Sequence, residues 1–121
     1  MMARAEIKES GRLNTMIGPG TEIVGDLKIQ GGIRVDGSVT GEIIAGGPIT
    51  VGEKGEVEAP IIEASSAVIG GRVTGDVRAP EKILLESSAV VEGTLTTEVL
   101  IIEEGAQFSG SSDMSGGSGE N

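Results

Sequence analysis

Glu22-Ile23-Val24-Gly25-Asp26-Leu27 returns as Ser38-Val39-Thr40-Gly41-Glu42-Ile43. The pattern is a small or polar residue, a β-branched anchor, a free position, glycine, another free position and an aliphatic residue. It recurs as Glu56-Val57-Glu58-Ala59-Pro60-Ile61, Arg72-Val73-Thr74-Gly75-Asp76-Val77 and Val90-Val91-Glu92-Gly93-Thr94-Leu95. A last copy, Gln107-Phe108-Ser109-Gly110-Ser111-Ser112, loses its second apolar position. The anchors 23, 39, 57, 73, 91 and 108 are 16, 18, 16, 18 and 17 residues apart. Before each anchor stands an apolar pair spaced by two, such as Thr15/Ile17, Ile33/Val35, Ile83/Leu85 and Leu100/Ile102. A spacing of two puts both side chains on one face of a strand.

Strands this short cannot bury a face alone. Stacked coils can, each about 4.8 Å above the last and paired with it in parallel. The repeats therefore predict an all-β chain, a parallel β-helix (solenoid) of about six coils and roughly 25–30 Å in length. Four inward columns follow: Ile23/Val39/Val57/Val73/Val91/Phe108, Leu27/Ile43/Ile61/Val77/Leu95, Ile33/Ile49/Ala67/Ile83/Leu100 and Val35/Val51/Ile69/Leu85/Ile102. Residues 15–114 make the solenoid. Residues 1–14 and 115–121 lack alternation and are expected to be flexible tails.

Composition agrees. Among 121 residues there are 21 glycines, 14 isoleucines, 11 valines, 6 leucines and a single aromatic, Phe108. A narrow tube has room for Val and Ile, and glycine recurs where a Cβ would be costly at a corner. With no His and no Cys, a Ser-His-Asp triad, a Cys nucleophile and a Cys/His zinc site are impossible. The net charge of −10 without a basic cluster, and one aromatic, argue against nucleic-acid binding. No phosphate-loop, EF-hand or calcium-repeat spacing occurs. No apolar run is long enough to span a bilayer. The N-terminus has no secretory signal, which predicts a cytoplasmic protein. Neither a cofactor nor a metal is expected.

The stretches Leu13–Leu27 and Gly32–Gly41, the central Val68–Val77, and Glu103–Gly110 ending near Met114 resemble the bactofilin family. The resemblance covers about residues 13–114. Ser112 departs from it, standing where many members carry Cys. It implies a right-handed β-helix and a cytoskeletal protein, not an enzyme. It implies polymerisation without nucleotide into non-polar filaments, head-to-head and tail-to-tail. Cell-wall, cell-shape or polarity proteins would be the partners, and an N-terminal segment would attach filaments to the inner membrane surface.

Individual residues carry two readings each. Phe108, with Leu100 and Ile102, either plugs the C-terminal end of the rod or is buried by a facing subunit. Thr15, Ile17 and Ile23 either cap the N-terminal end or form the second filament contact. An open β-helix end is an edge-strand problem that end-to-end joining solves, and a filament needs both ends to join. By alternation, Ile44/Ile62 and Val68/Leu84/Ile101 form outward apolar stripes, for lateral association or partner docking. Met1, Met2 and Arg4 are the candidates for weak membrane contact, multiplied along a filament. Two alternatives remain beside the scaffold: a β-helix enzyme, whose usual His base and long loops are missing, and a monomeric binding rod.

Overall fold

A computed structural model of the chain describes residues 5–7 and 13–113. Among them every regular element is a strand, and there is no helix. The chain begins with β1 (Ala5–Ile7) and winds through six coils. The first two have three strands each: β2 (Leu13–Ile17), β3 (Glu22–Val24) and β4 (Leu27–Ile29), then β5 (Gly32–Val35), β6 (Ser38–Thr40) and β7 (Ile43–Ala45). From the third coil on, the second and third strands fuse. The pairs are β8 (Ile49–Val51) with β9 (Glu56–Glu63), β10 (Ser66–Ile69) with β11 (Arg72–Arg78), β12 (Lys82–Leu85) with β13 (Val90–Thr96), and β14 (Leu100–Ile102) with β15 (Gln107–Asp113). β2, β5, β8, β10, β12 and β14 form a six-stranded sheet, here sheet B; the other nine strands form sheet A. All pairings are parallel and join successive coils. The fold is the parallel β-solenoid of about six turns that the repeats predict.

The core is the stack of inward side chains. Val39, Val57, Val73 and Val91 are in register and each 1% exposed. Ile33, Ile49, Ala67 and Ile83 stack in sheet B, as do Val35, Val51, Ile69 and Leu85. Fully burying an aliphatic side chain of this size contributes about 1.5–3 kcal/mol.

One column differs from the repeat pattern. At the bend of sheet A, Gly25, Gly41, Gly75, Gly93 and Gly110 all have φ between 131° and 142°. A Cβ on Gly75 would lie 1.6 Å from the Ala59 carbonyl oxygen, and one on Gly93 would lie 1.9 Å from that of Gly75. Ala59 occupies this column without a positive φ. The third coil rounds the corner with an additional residue, Pro60, and the ladder slips between Gly75 and Asp76. Ile62, and not Ile61, therefore stacks between Ile43 and Val77 and is 1% exposed. The expectation that Ile62 faces outward is corrected: the bulge reverses the alternation after Ala59, and the half-buried Ile61 sits beside Asp76.

Within the segment 1–14, β1 pairs with β4, Ala5 beside Leu27 and Ile7 beside Ile29, and β2 already starts at Leu13. Met1, Met2 and Arg4, and the segment 115–121, lie outside the described residues.

Candidate functional site: the two ends and the outer faces of the rod

At the C-terminal end the last coil has no successor among the described residues. Among them β14 pairs only with β12 and β15 only with β13, leaving one edge of each strand without a described partner. Unpaired edge N–H and C=O groups invite another strand. The inward columns show what the missing coil would have covered. Leu85 is 0% exposed, whereas Ile102 directly above it is 47% exposed. Val91 is buried, and Phe108 above it is half-buried against the core. Leu100, above Ile83, is likewise half-buried. The structure thus brings Leu100, Ile102 and Phe108 together on one apolar end surface. The column ending in Leu95 finishes with exposed Ser112.

The N-terminal end is more covered. β1 lies on the edge of β4, while among the described residues β2 and β3 pair on one side only. Ile17 is 5% exposed, so little of it remains for a second subunit. Ile23 is half-buried, and the Oγ1 of Thr15 is buried with no hydrogen-bond partner among the described residues. Sequence alternation locates these residues at the end but is silent on β1, whose three residues carry no period.

The outer faces differ in charge. The strands of sheet A hold Glu22, Glu56, Glu58, Glu63, Asp76 and Glu92 against Lys28, Arg72 and Arg78. Glu22, Glu56, Glu58, Glu92 and Arg72 share one open polar trough on its first half. The strands of sheet B hold no acid and two cations, Arg34 and Lys82. Arg34 Nε donates to Asp36 Oδ2 at 2.9 Å; this hydrogen bond and the Asp36 charge hold the guanidinium above its ordinary pKa. On sheet B, Val68, Leu84 and Ile101 stand in register as an outward row. Ile101 is 43% exposed, and the other two are half-buried. Ile44 is exposed on sheet A but stacks between Lys28 and Glu63, so with Ile62 in the core these two form no outward stripe.

Among the described residues no group of three or more His, Cys, Asp or Glu is placed to hold a metal, and no helix is long and apolar enough to cross a membrane.

Comparison with known proteins gives a consistent result. A family model described as "Bactofilin: Polymer-forming cytoskeletal" matches residues 15–113. Bactofilin BacO of Myxococcus xanthus is 35% identical over 101 residues, 84% of this chain and 79% of that protein. Bactofilin BacP of the same organism is 30% identical over 115 residues, 94% of this chain but 48% of that longer protein. A crystal structure of a phenylalanine-to-arginine mutant of bactofilin from Thermus thermophilus superposes with a TM-score of 0.70. It is 37% identical, and the match covers 74% of this chain and 98% of that one.

Proposed function

This chain belongs to the bactofilin family of polymer-forming cytoskeletal proteins, and on that premise we propose that it is a scaffold, not an enzyme, whose rods join end to end. Joining needs no nucleotide and proceeds head-to-head and tail-to-tail. The observation that carries the proposal is the C-terminal coil. Ile102 and Phe108 occupy columns that are fully buried one coil below, on strands with open edges. A second C-terminal end set against it covers both residues and occupies both strand edges. Each large side chain so buried contributes up to about 1.5–3 kcal/mol, from which the cost of association is drawn. A two-fold contact at one end stops at a dimer, so growth uses the N-terminal end as well, through Ile23, Thr15 and what remains accessible of Ile17.

In the cell such filaments act in the cytoplasm, at the inner face of the membrane. Met1, Met2 and Arg4 touch the membrane weakly but many times per filament. The filament recruits cell-wall, cell-shape or polarity proteins.

The test is Phe108→Arg. The Thermus thermophilus relative whose structure matches is itself a phenylalanine-to-arginine mutant, and Phe108 is the one phenylalanine of this chain. Nucleotide-free wild-type protein should show filaments in negative stain, and the variant a folded monomer or short assembly. Unchanged filaments in the variant defeat the end-contact proposal.

A further inference from the structure

We infer that the outer face of sheet B is where two filaments of this chain pair back to back, along the row Val68, Leu84 and Ile101. The inference rests on the end-joined filament proposed above. Three observations select a second copy of this chain as the occupant.

The first is where the charge lies. The chain carries −10 overall. On the strands the acids are confined to sheet A; the outer side of sheet B carries the apolar row, Lys82, and Arg34 paired with Asp36, with Glu86 at the end of β12. Two copies meeting through sheet A oppose like charges; two meeting through sheet B keep the acidic faces on opposite outer sides.

The second is charge complementarity within one coil. Lys82 stands two residues before Leu84, and Glu86 stands two residues after it. Glu86 lies over Gly70, on the outer side of the coil, where its Oε1 is the nearest atom to a Cβ built at that glycine. A two-fold axis parallel to the rod, placed at Leu84, sets Lys82 of one copy against Glu86 of the other and packs the two Leu84 side chains together.

The third is continuity with the end. Ile101 belongs to β14, the last strand of sheet B, and Val99 just before it is 44% exposed. The lateral row therefore runs into the coil that carries Ile102 and Phe108, and with sheet B on the same side of successive rods every rod added to a filament lengthens the strip. Three side chains per rod make a contact far below the ~1,200 Å² of a stable pairwise complex. Repetition along a filament makes it effective: once one rod docks, its neighbours bind at high effective concentration. Lateral pairing is thus a property of filaments and not of single rods.

The test uses the full chain with Leu84→Glu, read by negative stain and by two centrifugation speeds. Wild-type filaments should appear as pairs or bundles and enter the low-speed pellet. The variant should still pellet at high speed as single filaments, with the low-speed fraction lowered about tenfold or more. Thr40→Glu on the outer face of sheet A is the matched control and should bundle like wild type. Lys82→Glu should also weaken bundling, and adding Glu86→Lys should restore it. Bundles that survive Leu84→Glu overturn the inference, as do wild-type filaments that stay single, which assign the face to a different partner. A double variant that remains single overturns the parallel two-fold arrangement. Wild-type protein that forms no filament at all defeats the end-joining proposal itself, a result separable from these.

Discussion

Replacing Gly75 by alanine should be among the most damaging single-methyl additions the chain can receive. Gly75 has φ +131°, and a Cβ there would stand 1.6 Å from the Ala59 carbonyl oxygen and 2.8 Å from its carbon. Neither atom belongs to a flexible side chain. Both lie on the neighbouring coil, whose backbone is fixed by the parallel ladder between β9 and β11. The φ value alone costs of order 1–3 kcal/mol for a non-glycine residue. Overpacking adds a similar 1–3 kcal/mol as one coil is pushed from the next. We expect a loss of about 3 kcal/mol or more, which for a domain of this size lowers the melting temperature by roughly 10 °C. The measurement belongs in the Phe108→Arg background, because assembly stabilises the folded rod by mass action. Guanidinium unfolding followed by far-UV circular dichroism reads it directly. The third coil supplies a rescue. It hosts Ala59 in this same column by adding Pro60, so inserting one residue after an alanine at position 75 should recover part of the loss. A Gly75→Ala protein within about 0.5 kcal/mol of its parent, at unchanged m-value, would refute the close approach on which this reasoning stands.

Two further outcomes are open to direct measurement. Ile62→Ala should cost about 2–5 kcal/mol as a core truncation, and Ile61→Ala under about 1 kcal/mol; the reverse order in denaturant midpoints would restore the unbulged register. Ile23→Lys should arrest assembly at dimers joined through the Phe108 end, seen by light scattering at twice the monomer mass. Full-length filaments from Ile23→Lys would remove Ile23 from the growth contact.

Most of the solenoid is legible in the sequence because its period is imposed coil by coil. The anchor column from Ile23 to Phe108 and both sheet B columns follow from counting residues, and the structure places them in register. The count misplaces Ile61 and Ile62 because alternation assumes an unbroken strand. Ala59 standing in a glycine column, followed by proline, was the available signal of a bulge. The low exposure of Ile17 is not legible for a different reason. Burial at the end of a rod depends on what packs around the residue in three dimensions, and alternation gives only which face of the strand it is on. On the outer faces, the Val68/Leu84/Ile101 row survives because no bulge interrupts sheet B between β10 and β14. The Ile44/Ile62 stripe does not, because the bulge at Pro60 falls between its members.

The ladder has a consequence for how the chain is made. Between the six coils, every paired residue lies 15 to 19 positions from its partner. Relative contact order is then about 0.14, just below the ~0.16–0.22 of β-sandwiches. A solenoid of this kind folds layer by layer, each finished coil serving as the template for the next. During synthesis, the top of the half-made rod exposes the same bare strand edges and aliphatic columns as the finished C-terminal end. Under the end-to-end joining proposed above, a facing rod covers the same bare edges and aliphatic columns that each new coil covers as the monomer is made.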